Sequence, residues 1–406
     1  MATPATDLDL PYLPFIDGGN RHETLARTLA ARDEHWLARS DFGFMVTRYE
    51  DVVAVLRDKR WHNASSRIAE MAGVTDAEFL ARRRESILSA EGDVHVRLRR
   101  LVAPAFSPRS ADRLRPFMRE VVNGLVDAIA PAGRADVVRD ICEPYPIPII
   151  CELLGAPKED WQLFSSWATD VLRIFNFNFV QDLPIIMKAQ DELNAYTEQL
   201  IAERRSKPAD DLLTDLIAAE ESGDRLSTEE LVMMTEAVIV GGTDTTRNQL
   251  SCAVGLFSEY PDQWALLGER PELAPRAVEE TMRYLGAIRG TGRFASEDIE
   301  YRDVLFPAGT FLSPSMAAAN RDDQVFPDPG TFDISREPTG QPQLTFGSGI
   351  HFCLGASLAR AELQEALAIL ARRMPDLRID GEITWKPNGT GIWGAHHVPV
   401  TFAPGH

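Results

Sequence analysis

One short run constrains this chain more than any other: Phe346-Gly347-Ser348-Gly349-Ile350-His351-Phe352-Cys353-Leu354-Gly355. It sets one cysteine at the mouth of an expected helix, behind two glycines, an aromatic ring and a histidine. A helix N-terminus presents unpaired backbone N–H groups and a partial positive charge, which favour a thiolate over a thiol. Gly347 and Gly349 admit positive φ and a close approach of the backbone to a bound group. Phe346 can cover the sulfur, and Gly355 leaves room where the helix beginning near Leu354 would pass beneath a flat ring.

Cys353 also has blander readings. A lone cysteine is commonly a small buried hydrophobe, and a thiol nucleophile is another use. His351 beside Cys353 suggests zinc, but Cys142, Cys151 and Cys252 offer no second pair at ligand spacing. None of these explains the glycines and Phe346, whereas a thiolate bound to haem iron uses every one of them. The run resembles the cysteine loop of the cytochrome P450 family, Phe-x-x-Gly-x-His-x-Cys-x-Gly, with every fixed position matched. That resemblance implies a mainly α fold with small β-sheets, a helical prism enclosing haem b, and Cys353 as the axial ligand. It also implies a single domain over residues 1–406, with a long central helix across the distal face of the haem.

Periodicity supplies such a helix. Ser227-Thr228-Glu229-Glu230 reads as a capping box, and the helical pattern runs to Tyr260, just ahead of Pro261. At 1.5 Å per residue this is a rod of roughly 50 Å. Gly241 and Gly242 sit in its middle, each costing about 1 kcal/mol relative to alanine, a cost that tight packing or a function must offset. Next come Thr243, Asp244, Thr245 and Thr246, whose hydroxyls can bond carbonyls one turn earlier and loosen the ladder. Asp244 also has Arg247 within reach as an ion-pair partner. Residues 241–245 resemble the family's oxygen-binding segment, Ala/Gly-Gly-x-Asp/Glu-Thr. By that resemblance the two glycines face the cofactor, Thr245 donates a hydrogen bond toward dioxygen, and Asp244 relays protons from solvent. O–O cleavage needs protons delivered without a flood of water.

Other positions fall into the same pattern. His95 and Arg99, four apart, share a helix face. Taken alone they would be solvated surface residues, but the family's His-x-x-x-Arg pair binds a haem propionate, and Phe106 follows where that helix ends near the ring. Arg293, in Arg293-Phe294-Ala295, matches the strand arginine on a propionate, a task that His351 shares. Glu280 and Arg283 alone would be a surface pair worth a few tenths of a kcal/mol; the family's Glu-x-x-Arg is a buried structural ion pair behind the haem. Tyr145-Pro146-Ile147-Pro148, Asp211-Leu212-Leu213 and Phe326-Pro327-Asp328-Pro329 extend the resemblance over nearly the whole chain. Two positions depart from it. The proline usual after the Glu-x-x-Arg helix is replaced around Ala287, which leaves the shape of the pocket wall open. Pro329-Gly330-Thr331-Phe332 lacks an arginine that some members carry, so Arg336 or Arg321 is expected to complete the ion-pair network.

A hydrophobic content of 44% over 406 residues is ample for a buried core. The net charge of −19 argues against nucleic acid or anionic membrane as a partner. No basic cluster precedes an apolar run at the N-terminus and no apolar stretch is long enough to span a bilayer, so a cytoplasmic protein is expected. Short strands are expected at 44–49 and within 299–311, the latter a pair turning at Pro307-Ala308-Gly309. A helix is expected at 50–57 and an irregular β region at 383–402.

No segment is left over for a flavin or iron–sulfur domain, so electrons are expected from a separate ferredoxin, itself fed by a ferredoxin reductase. Arg97, Arg100, Arg109, Arg113 and Arg360 are candidates for its docking patch. The regions that face the pocket in the family are 61–90, 172–186, 238–245, 285–292 and 392–397. Within them the aromatic run Leu172 to Phe179 favours a hydrophobic guest, Trp393, His396 and His397 offer a polar anchor, and Arg289 either meets a carboxylate or stays outside the pocket. The expected activity is hydroxylation by a monooxygenase of a terpenoid, steroid or fatty-acyl compound, with aromatic compounds next. A peroxide-driven peroxygenase and a non-catalytic haem sensor are the alternatives, neither of which needs the Asp244–Thr245 pair.

Overall fold

A computed structural model describes residues 2–15, 19–71, 73–176, 179–221, 226–388 and 391–403. The helix expected from Ser227 spans Thr228–Glu259. Its capping box is closed on both sides: Ser227 Oγ accepts from the Glu230 N–H at 3.1 Å, and a Glu230 carboxylate oxygen accepts from the Ser227 N–H at 2.9 Å. Leu250, Val254, Leu256 and Phe257 on this helix are all buried. A helical stretch buried on every face, as residues 248–257 are, belongs to the core rather than the surface. Around it pack helices Pro146–Leu154, Trp161–Leu172, Phe179–Ser206 and Ala356–Arg373, the last of which also lies against Pro108–Ile129.

A five-stranded sheet stands to one side, in the order Leu37–Ser40, Gly43–Val46, Phe311–Pro314, Arg293–Ala295, Trp61–Asn63. Gly43–Val46 and Phe311–Pro314 are parallel and the other pairs antiparallel. Leu37, Val46, Trp61 and Phe306 join it to helix Tyr49–Arg57 in a second hydrophobic cluster. This sheet is what carries Arg293 toward the middle of the molecule.

The expected strand and helix at 44–57 appear as Gly43–Val46 and Tyr49–Arg57. The 299–311 segment differs from expectation, with Ile299–Tyr301 and Val304–Phe306 already forming a hairpin. The chain reverses at Arg302 and Asp303, both at positive φ (48° and 60°), where no glycine marked a turn. The C-terminal β region resolves into Thr384–Trp385, Ala395–His397 and Pro399–Thr401. Among the described residues no helix is long and apolar enough to cross a membrane.

Candidate active site

Between the long helix and the cysteine loop lies a cavity of about 910 Å³. Its floor is the loop. Gly347 and Gly349 take φ of 73° and 74°, and a Cβ on Gly349 would stand 2.3 Å from the Leu56 carbonyl oxygen, so only glycine fits. The loop closes through a hydrogen bond from the Cys353 N–H to the Phe346 carbonyl at 2.9 Å, and helix Ala356–Arg373 starts just beyond. Phe346 and Gly355 line the cavity on either side of the cysteine, and a Cβ on Gly355 would meet nothing within 4 Å. Burial pushes the Cys353 thiol up, outweighing the Gly355 N–H, Arg99 and Arg360 that pull it down. A metal bound at the sulfur would offset that cost and hold the thiolate.

Above the floor the two central glycines divide the roles that sequence left open. A Cβ on Gly242 would fall 2.3 Å from Ile150 Cδ1, so this glycine serves helix packing although it borders the cavity. A Cβ on Gly241 would meet nothing within 4 Å and would project into free space. Thr245 also lines the cavity, and its Oγ1 donates to the Gly241 carbonyl at 2.8 Å. Asp244 does not line it. It is turned aside into an ion pair with Arg247, which reaches Thr169 Oγ1 at 3.3 Å and the Glu143 carboxylate at 3.9 Å.

Four basic side chains converge on one flank. His95 and Arg99, on helix Gly92–Val102, line the cavity with His351 and Arg293. The His95 and His351 rings are 4.4 Å apart. Burial, reinforced by His351 and Arg99, pushes His95 down to about 4, and burial pushes Arg293 down to about 10 against the pull of Glu91. Phe106 lines the same cavity. The one carboxylate there among the described residues is Glu91, which sequence reasoning missed: it lies 3.1 Å from His351 Nε2 and accepts from the Asn63 N–H at 2.6 Å. Burial opposes its charge, but those two hydrogen bonds hold it below its usual range. This flank carries more positive than negative groups. The two propionates of a haem would balance it, and the open space over Gly241 and Gly355 suits a flat ring, so the residues present fit the cofactor. Among the described residues, no three His, Cys, Asp or Glu side chains gather as a metal site of their own.

Behind the cavity Glu280 and Arg283 form a buried two-pronged pair at 2.7 and 2.8 Å. Arg336 completes it, with its Nε 3.2 Å from Glu280 Oε1. Arg321 stacks instead on the Tyr284 ring at 3.6 Å and donates to the Tyr284 carbonyl at 2.8 Å. The departure at Ala287 also has an account. Its N–H, which a proline would lack, donates to Gln249 Oε1 at 2.8 Å, and its carbonyl accepts from the Trp393 N–H at 2.9 Å. The wall is thus tied to the long helix by a side chain that sequence did not single out.

Of the expected pocket regions, 61–90, 172–186, 238–245 and 285–292 contribute lining residues, though Phe177 and Asn178 lie outside the described residues. Ile392 lines the cavity, but Trp393, His396 and His397 do not. Trp393 is buried in a stack on Trp385, His397 pairs with Asp136 at 2.7 Å, and His396 is exposed, so none of the three is the polar anchor expected. Three lining features were not foreseen. Residues of the N-terminal segment from Leu13 to Thr28 form part of the wall, Asn388 joins them, and Glu362 borders the cavity with Thr246. Burial pushes Glu362 up to about 8 against a hydrogen bond from Thr246, and its Oε1 has no partner. A glutamate inside an apolar helical stretch was the available signal.

A sequence model described as Cytochrome P450 matches residues 42–269 and 263–374. Nocardicin C N-oxygenase of Nocardia uniformis subsp. tsuyamanensis is 39% identical over 88% of this chain and 89% of its own length. Cytochrome P450 monooxygenase PikC of Streptomyces venezuelae is 37% identical over 98% of this chain and 95% of its own. Among solved structures, P450BioI in complex with acyl carrier protein ligated by hexadec-9Z-enoic acid superposes with a TM-score of 0.87. It is 31% identical and covers 94% of this chain and 99% of that one.

Proposed function

Because this chain belongs to the cytochrome P450 family and is a haem-thiolate monooxygenase, we propose that it hydroxylates a C–H bond of a small hydrophobic molecule using electrons from a separate ferredoxin. Cys353 is the axial ligand in this reading, with His95, Arg99, Arg293 and His351 holding the propionates. The observation that carries it is one cavity bounded by Cys353 below and by Gly241 and Thr245 above. When bound, the haem supplies reductive activation of dioxygen and transfer of one oxygen atom to substrate.

The chain's own residues do the rest. Thr245 presents a hydroxyl to the cavity while its proton is lent to the Gly241 carbonyl, so it can turn to donate across the open face. Asp244 is next to Thr245 in the chain, and its partner Arg247 reaches toward the half-exposed Glu143. This supports a relay in which protons enter by way of Glu143, Arg247 and Asp244 while bulk water stays out. The lining, largely Leu, Ile, Val, Met and Phe, favours a terpenoid, steroid or fatty-acyl framework. A ferredoxin as donor is supported by the exposed Arg100, Arg109 and Arg113 and by exposed Phe352 next to Cys353.

Replacement of Thr245 by alanine tests the reading in the holoenzyme supplied with a ferredoxin, its reductase and substrate. Product should fall by about 100-fold while reductant is still consumed and peroxide accumulates. Unchanged product yield would overturn the role of Thr245, and wild-type protein that forms product only with added peroxide would make it a peroxygenase.

A further inference from the structure

The cavity holds more positive charge than a haem accounts for. His95, Arg99, His351 and Arg293 surround the propionate flank, but Arg289 also lines the cavity, on the wall formed by Ala287, Ile288 and Gly290. It is partly buried in that wall, and burial pushes its guanidinium down from its ordinary value. Its Nη1 donates to Asn388 Oδ1 at 3.0 Å, and its planar group stands 5.3 Å from the centre of the Trp393 ring. Asn388 is itself fixed, donating to the Gly19 carbonyl at 2.5 Å and to Thr24 Oγ1 at 3.0 Å. Among the described residues no carboxylate pairs with Arg289. Among the described residues that line the cavity the only acidic one is Glu362, which is hydrogen-bonded to Thr246 of the long helix. A desolvated arginine is normally retained with a counter-anion, because an uncompensated charge in an apolar cavity is costly. Here the amide of Asn388 and the face of Trp393 set the guanidinium in place without neutralising it, so its remaining N–H donors are left for a bound molecule.

Resting on the monooxygenase reading above, we propose that the substrate is a hydrophobic molecule bearing a free carboxylate, and that Arg289 is the residue that binds this carboxylate. The apolar remainder of the molecule then fills the cavity toward Cys353. Arg289 selects and orients and takes no part in proton delivery.

The test is an optical titration of the ferric holoprotein, following displacement of the distal water. The ligands are long-chain fatty acids and polycyclic terpenoid acids, each as the free carboxylate and as its methyl ester. Charge-assisted hydrogen bonds predict that at least one acid binds ~10- to 100-fold more tightly than its ester. Arg289→Gln should abolish that ratio by weakening the acid alone, while Arg289→Lys should keep part of it. An unchanged thiolate-haem spectrum in both variants certifies the fold. Equal affinity for acid and ester, binding of no acid, or an undiminished ratio in Arg289→Gln would overturn the proposal. If esters are bound equally and still hydroxylated with ferredoxin, only the carboxylate proposal falls; if the wild-type protein turns over nothing reductively, the monooxygenase reading falls instead.

Discussion

Burial at Cys353 works against the charge that coordination requires, and the same tension recurs at Glu280. A carboxylate this enclosed is tolerable only because Arg283 grips both its oxygens, Arg336 adds a third contact, and the Asp333 N–H donates at 3.1 Å. Glu280→Ala should therefore destabilise the protein by about 3–5 kcal/mol in denaturant unfolding, since it strands a buried guanidinium. Arg336→Ala should cost only about 1–2 kcal/mol because the two-pronged contact survives. A near-zero loss at Glu280 would make the network incidental. At this scale the motif residues were legible, since glycine at Gly349 and cysteine at Cys353 have few substitutes. Glu91 and Gln249 were not, because a carboxylate or amide gains meaning only from a partner far away in sequence: His351 for Glu91 and the Ala287 N–H for Gln249.

Among the elements, the long helix was legible to within a residue because its cap is a local signal, whereas the hairpin at Arg302-Asp303 was not. Two non-glycine residues at positive φ announce nothing, and the visible Pro307-Ala308-Gly309 drew the turn away from them. Where elements meet, Glu236 of the long helix faces Arg83 from helix Ala77–Glu85 and Gln190 from helix Phe179–Ser206, with Arg82 farther off. Burial pushes its carboxyl from 4.5 up to about 7, against Arg83, Gln190 and Arg82. The folded protein thus holds this proton more tightly than the unfolded chain. The associated stability is complete below about pH 4.5 and is lost as pH rises through 7, a change on the order of 3 kcal/mol. Glu236→Gln should flatten that window in melting curves recorded from pH 5 to 8; a slope identical to wild type would assign the pH dependence elsewhere.

Across the whole molecule, a net charge of −19 makes any basic patch local. The expected docking arginines are partly committed within the fold: Arg97 pairs with Glu230, Arg360 with Glu279 at 2.5 Å, and Arg113 lies 3.8 Å from Asp210. Arg109 is exposed and has no ion pair among the described residues, which makes it the sharper probe. Arg109→Glu should slow reduction by ferredoxin roughly 5- to 10-fold at low ionic strength, with the difference closing as salt is raised. A rate equal to wild type at every salt concentration would remove the patch from the docking account. The overall architecture was readable because the family's signals are spread along the chain. The reach of the N-terminal segment was not, since Leu13 to Thr28 carries no motif.

That segment touches the cavity while supplying no residue of the cysteine loop or of the 241–245 turn of the long helix. If Arg289 and this wall select the substrate as proposed, selectivity and chemistry are written on different stretches of the gene. After a duplication, one copy can acquire a new appetite through changes in its first thirty codons, at Arg289 or at Asn388, and inherit its reaction intact.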